Sequence, residues 1–288
     1  MTRAICLLLA VTLPAAAFAK GKKGPGHRSW PLPALGRSAS GQPEILFTFD
    51  DGPGGTLTAE LLDTLAAHHV HAIFFLVGNR ISGGKARARA LIGRMVDEGH
   101  AVGNHTQNHR DLCRASQAGK VDKEIDDAQA LVEQATGMDI VLFRAPFGVR
   151  CARLEEALDA RHLAHIHWDI DPQEWKTHSG DLTQRRIISQ IARLADDERA
   201  VVLAHDIHPE TIQAIPAVLA WIGEENARRR AAGKNEIVIL DPAAIAGEKL
   251  APGVADAVAE AAGGARDFAP ALLRRLVAPL GGVAAAQL

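Results

Sequence analysis

Between Glu44 and Asp241 the chain alternates short, unbroken apolar runs with longer stretches whose apolar residues recur every three or four positions. The runs fall at 45–50, 71–77, 101–105, 140–144, 164–170, 200–206 and 236–240. Segments such as Ala72-Ile73-Phe74-Phe75-Leu76-Val77 and Val201-Val202-Leu203-Ala204 show no polar alternation, which is the pattern of strands buried on both faces. Leu57, Leu61, Leu62 and Leu65 form one helical stripe, and Leu91, Ile92, Met95 and Val96 form a second that Gly99 closes. Val121, Ile125, Ala128, Leu131 and Val132 form a third, closed by Gly137. Further helices are predicted over 153–161, 182–195 and 215–232, the last with Pro216 near its first turn. Seven βα units in succession predict a parallel α/β sheet, either open and doubly wound or closed into a barrel.

The polar residues at the ends of the runs favour the barrel. Asp50, Asp51, His105, Arg144, Asp171 and His205 all stand where a run ends and its loop begins. A barrel brings those ends together at one mouth, whereas an open sheet spreads many of them along an edge.

The flanks read differently. Arg3, the apolar run Ala4 to Leu13 and the closing Ala17-Phe18-Ala19 match a secretory signal cleaved after Ala19, with an apolar run too short to span a membrane. A secreted or periplasmic protein is expected, with no membrane-spanning segment once residues 1–19 are removed. Residues 20–43 are rich in Gly, Pro, Ser and basic residues and read as a flexible basic leader. The barrel is expected over 44–242. Beyond it the composition turns to Ala, Gly and Pro, so 243–288 reads as a short helical or partly disordered extension. Export would leave Cys113 and Cys151 in an oxidising compartment, where two cysteines suggest one disulfide, worth about 4 kcal/mol on a chain-entropy account. Buried thiols or metal ligands are the alternatives, and the spacing matches no zinc-site pattern.

Composition narrows the function. An apolar fraction of 47% and a charged fraction of 23% suit a soluble globular chain, and 288 residues allow one large core. The formal charge of −2 offers no electrostatic case for a nucleic-acid partner. Tyrosine is absent, so a ring platform for a ligand must come from Trp or Phe.

The stretch Ile45-Leu46-Phe47-Thr48-Phe49-Asp50-Asp51-Gly52-Pro53 runs an apolar strand into two adjacent carboxylates. Neighbouring acids repel, so the pair calls for a cation or a proton nearby, and a plain Asp-Asp-Gly-Pro turn is the competing reading. In His105-Thr106-Gln107-Asn108-His109 two histidines fall on one face if the segment is helical. With Asp51 they would form a two-His, one-Asp site with positions left for water and substrate. Zinc suits it, and cobalt(II), iron(II) or manganese(II) are alternatives. Arg144, at a strand end, can pair with a carboxylate, hold it ionised and lower its pKa. Trp168 and Trp175 bracket Asp169, Asp171 and Glu174, and His205 emerges from the run at 200–206.

Taken in order, Asp-Asp-Gly, H-[ST]-x-x-H, R-x-P-[FY], D-x-x-[DE]-W and L-x-H resemble the motifs of the polysaccharide deacetylase family, the NodB-homology type or carbohydrate esterase family 4. Thr48-Phe49 and Phe74-Phe75-Leu76-Val77-Gly78 also look like this family, and the resemblance runs from about Glu44 to about Asp241. It implies a distorted (β/α)7 TIM-like barrel and a hydrolase that removes acetyl groups with a divalent metal. The substrate class implied is an acetylated polysaccharide such as chitin-like oligomers, peptidoglycan or xylan, with N-acetyl of GlcNAc-type sugars ahead of O-acetyl. Carried onto this chain, the resemblance implies Asp51, His105 and His109 as metal ligands and Asp50 as general base, oriented by Arg144. It implies Phe147 as groove wall and backbone oxyanion donor, and His205 as general acid with Asp171 as its charge partner. Leu203 and Trp175 would line the pocket for the acetyl methyl. One departure stands out: the second acid of the fourth motif, usually Asp, is Glu174 here, which bears on the pairing around His205.

Two other classes are compatible with parts of this pattern. A two-His, one-carboxylate iron(II) oxygenase would normally be all-β, and the βα rhythm speaks against it. A non-catalytic, glycan-binding relative would have lost the base, the acid or a ligand, and none is lost.

Overall fold

A computed structural model describes residues 35–38 and 40–243. The expected signal at 1–19, the leader before Leu35 and the extension after Ala243 lie outside the described residues. Each apolar run supplies one strand, with tighter bounds: β1 Glu44–Asp50, β2 Ile73–Leu76, β3 Ala101–Asn104, β4 Leu142–Phe143, β5 Ala164–His165, β6 Arg199–His205 and β7 Val238–Ile239. The helices are α1 Thr56–Ala67, α2 Gly78–Asp97, α3 Val121–Thr136, α4 Ala152–Asp159, α5 Glu174–Thr177, α6 Gly180–Ile191 and α7 Pro209–Ala231.

The strands form one parallel sheet in the order β5-β4-β3-β2-β1-β6, with β7 paired to the start of β1 at Glu44 and Ile45. The sheet curls on itself. Downstream of β5, Ile170 makes a parallel bridge to Val202 of β6, so the chain leaving one edge reaches the other. This is the distorted (β/α)7 barrel, with one ladder reduced to a single bridge.

Why the strands lack polar alternation is plain from their two faces. Leu46, Ile73, Phe75, Ile166 and Val201 pack together inside the curl, while Ile45, Phe47, Phe49, Phe74 and Val202 pack outward against the helices. Each large apolar side chain fully buried this way contributes about 1.5–3 kcal/mol. The helical stripes meet that outer face through Leu61, Leu62 and Leu65 of α1 and through Leu91, Ile92 and Met95 of α2. Gly137, in the left-handed conformation at φ 69°, stops α3 as expected.

Two sequence expectations need correction here. The leader is not loose where it is described: Leu35 is buried in the inner cluster beside Leu46 and Leu240, and Ser38 N–H donates to Asp197 O at 3.0 Å. The last helix starts at Pro209 and carries Pro216 in its interior rather than near its first turn. Pro209, lacking an N–H, occupies a first-turn position where none is needed.

A third cluster, with Leu112, Val121, Ile125, Phe143 and Leu154, lies beneath the loop that follows β3. Cys113 and Cys151 form a disulfide across it, with Cα atoms 5.8 Å apart, tying that loop to the residue that precedes α4. Among the described residues no helix is long and apolar enough to cross a membrane.

Candidate active site

The register of β1 against β6 sets Asp50 opposite His205 and Thr48 opposite Leu203. Parallel neighbours lie about 4.8 Å apart, so strand pairing alone brings an acid and a histidine together at one mouth. The period of two along β1 puts Thr48 and Asp50 on one face.

Arg144, the first residue past β4, is fully buried and reaches that face. Its Nη1 donates to Asp50 Oδ1 at 2.8 Å and to Thr48 Oγ1 at 2.6 Å. Thr48 Oγ1 in turn donates to Val202 O at 2.8 Å. The remaining guanidinium nitrogens donate to Ile166 O and His167 O, each at 3.0 Å, and the group lies 4.3 Å over the Phe75 ring. A planar cation with every edge occupied has one orientation. Arg144 lowers the Asp50 pKa through its charge and its hydrogen bond, as expected, yet the net shift is upward. Burial pushes the carboxyl up, and Arg144, then His205, oppose that without reversing it.

Asp51 follows at φ 73°, a left-handed conformation that Asp tolerates. A Cβ at Gly52 would run into the buried carboxylate of Asp206, which would have to shift. His105, the first residue past β3, donates from Nδ1 to Arg144 O at 2.7 Å, since a carbonyl can only accept. Its Nε2 is then the free lone pair, 3.5 Å from Asp51 Oδ1, and His109 Nε2 lies 3.1 Å from the same oxygen. Burial keeps His105 neutral, its pKa pushed down to about 3.

The two histidines do not converge by helical spacing. Residues 105–110 form a loop, with Thr106 at φ 66° and His109 at φ 52°. This corrects the helical expectation: two left-handed residues fold the loop back and bring the rings to 5.0 Å between centroids. The donor set fits a divalent cation. Three ligand atoms of Asp51, His105 and His109 lie within 4.8 Å of one another, and Asp51 Oδ1 is buried without a hydrogen-bond partner.

Across the groove, His205 Nδ1 donates to Glu174 Oε1 at 2.6 Å. The charge partner at this nitrogen is therefore Glu174, not Asp171, whose Oδ1 accepts from Gln173 N–H at 2.8 Å. Gln173 is left-handed, at φ 56°, and the turn it makes starts α5 with Glu174 fully buried. Burial alone would lower the His205 pKa, yet the Glu174 bond and charge, followed by the charges of Asp50 and Asp51, raise it to about 9. The imidazolium is thus favoured below its ordinary pKa of 6.5 and persists until pH rises through about 9. Glu174→Gln removes its largest raising influence. The alkaline limb of a pH–rate profile on a soluble acetylated oligosaccharide should move to lower pH in this variant, and an unmoved limb would contradict the pairing.

Asp50, Asp51, His105, His109, Phe147, Asp171, Trp175, Leu203 and His205 all line one groove of about 1630 Å³. Phe147 is 67% exposed and Trp175 46%, the two exposed large hydrophobic side chains among the described residues. Phe147 sits at φ 62° with its ring edge-on to His109, 4.7 Å between centroids. Its neighbour Gly148 is pinned by Trp168, whose ring would stand 2.6 Å from an added Cβ. Sequence reasoning left two residues of this site without a role. Thr48 stood two positions before Asp50 in a strand, and Glu124, described below, interrupts the apolar stripe of α3.

The curled parallel barrel gathers Asp50, His205 and three candidate cation ligands at one mouth, at the carboxyl ends of its strands, where barrel enzymes carry their sites. The family model for polysaccharide deacetylases matches residues 37–163. The chain is 36% identical over 183 residues to a chitooligosaccharide deacetylase of Bradyrhizobium sp., an alignment covering 62% of this chain and 79% of that protein. It is 32% identical over 201 residues to the peptidoglycan-N-acetylmuramic acid deacetylase PdaC of Bacillus subtilis, covering 70% of this chain and 40% of PdaC. Among solved structures, a family 4 carbohydrate esterase from Streptomyces lividans in complex with acetate is 30% identical. Its TM-score is 0.56, with 64% of this chain and 89% of that one covered. A deacetylase solved with substrate is 26% identical at a TM-score of 0.61, covering 73% of this chain and 94% of the other. The chain belongs to the polysaccharide deacetylase family, hydrolases acting on amide or ester bonds.

Proposed function

We propose that this protein removes N-acetyl groups from GlcNAc-type residues of a polysaccharide, with chitin-like oligomers first and peptidoglycan next, and that cleavage of O-acetyl esters, as on acetylxylan, is the lesser activity. The observation that carries this reading is the opposed pair across one groove: Asp50 fixed by Arg144 on one strand, His205 fixed by Glu174 on the next. The names of the similar deacetylases support the substrate class.

Asp51, His105 and His109 would hold a divalent cation, zinc by preference. When bound, such an ion supplies Lewis acidity, which acidifies water and polarises an acetyl carbonyl. Asp50 accepts the proton of the attacking water. The Phe147 backbone N–H donates to the developing oxyanion, a contact typically worth about 3 kcal/mol. His205, kept protonated by Glu174, delivers its proton to the departing nitrogen. Leu203 and Trp175 pack the acetyl methyl, and the exposed faces of Phe147 and Trp175 provide apolar walls for the sugar rings.

Action outside the cytoplasm, in the periplasm or medium, is part of the proposal. The signal-like residues 1–19 support it, and so does the Cys113–Cys151 disulfide. Acetate release measured over chito-oligosaccharides, peptidoglycan and acetylxylan tests the reading. The largest rate is expected on the chito-oligosaccharides, and no acetate from any of the three with zinc supplied would favour a glycan-binding relative.

A further inference from the structure

The loop carrying His105 and His109 closes no helical turn, so its backbone groups need partners elsewhere. Thr106 N–H donates to Asn104 Oδ1 at 2.8 Å. Gln107 N–H donates to the backbone oxygen of Glu124 at 2.8 Å, and Asn108 N–H donates to Glu124 Oε2 at 2.8 Å. Glu124 Oε1 accepts from Asn108 Nδ2 at 2.8 Å and faces Arg110 Nε at 3.0 Å. One residue of α3 therefore holds Gln107, Asn108 and Arg110, the stretch that frames His109.

Glu124 is only 4% exposed and stands among Val121, Ile125, Ala128 and Val132 on the buried stripe of its helix. A carboxylate in such a place is costly unless fully bonded, and here its bonds all go to the histidine loop. Two non-glycine residues of that loop are left-handed, and such conformations persist only where surrounding contacts over-determine them.

We infer that Glu124 is the positioning residue of the candidate cation site: through the amide and side chain of Asn108 and through Arg110, it fixes the loop that aims His109 at Asp51. It touches neither substrate nor ligand atom and acts through the loop. The inference rests on the reading of Asp51, His105 and His109 as a cation site.

The test is cobalt(II) affinity of the full chain after metal stripping, followed by visible absorption in competition with a chelator. Glu124→Ala should weaken cobalt binding by about 10- to 100-fold and change the absorption envelope, as expected when outer partners of a ligand are lost. Glu124→Gln, which keeps an acceptor for Asn108 N–H but loses the charge facing Arg110, should fall between, and it decides the matter if the alanine variant does not fold. Val132→Ala, two turns along the same buried stripe, serves as the stability control: it should lower Tm and leave cobalt affinity unchanged. Wild-type affinity in the folded Glu124 variants would overturn the inference. A wild-type chain that binds no cobalt would instead overturn the cation reading itself, and with it any role for Glu124 in positioning.

Discussion

Replacing Asp50 by Asn is expected to lower acetate release by roughly 10²- to 10⁴-fold while leaving the fold in place. The amide is the same size as the carboxyl and can still accept from Arg144 Nη1, so the buried contact at 2.8 Å has a replacement. What it cannot do is accept a proton from water. His205→Ala should produce a loss of similar size by a different route, because the leaving nitrogen then departs unprotonated. Circular dichroism and thermal melting would show whether the variants remain folded. A near-normal rate in a folded Asp50→Asn protein would remove Asp50 from the role of base, and the same result for His205→Ala would remove the acid.

Arg144→Ala should be the most damaging change to stability, at about 3–5 kcal/mol in urea unfolding at neutral pH. The side chain is fully buried, and its loss strands the Asp50 charge and removes the hydrogen bonds it donates to Ile166 O and His167 O. The pH dependence has a definite sign. The Asp50 pKa is already raised in the folded chain, and removing the cation that opposes the rise takes it higher. A carboxyl raised in this way binds its proton more tightly when folded, so stability is retained at low pH and lost as pH rises through the folded pKa. The deficit of Arg144→Ala should therefore shrink on acidification. It should also shrink in an Asp50→Asn background, where no charge is left to strand. An equal deficit in both backgrounds would mean that the ion pair contributes nothing specific.

Much of this arrangement was legible in the sequence, and the exceptions have physical reasons. Strands were found because a run such as Ile73-Phe74-Phe75-Leu76 must satisfy two buried faces, inner and outer, with apolar side chains. Asp50, Asp51, His105, Arg144 and His205 were found because each sits at the carboxyl end of such a run. The shape of the histidine loop was not, because an i, i+4 pair fits a helix as well as a loop folded by left-handed residues at 106 and 109. The choice of Glu174 over Asp171 turned on the left-handed Gln173, a conformation that glutamine does not advertise. The net rise of the Asp50 pKa depended on the depth of burial rather than on the presence of Arg144. Leu35 lies in a Pro- and Gly-rich stretch whose few apolar residues follow neither a helical nor a strand period, so nothing marked its burial. Glu124 could have been noticed, since it occupies an apolar position of the α3 repeat.

The central claim is that Asp50 and His205 act on an acetyl group beside a cation held by Asp51, His105 and His109. Acetate release from an acetylated chito-oligosaccharide, followed before chelation, after chelation and after zinc is restored, tests it most directly. The account predicts release that stops with the chelator and returns with zinc. Release that continues undiminished in protein shown to be metal-free would contradict it.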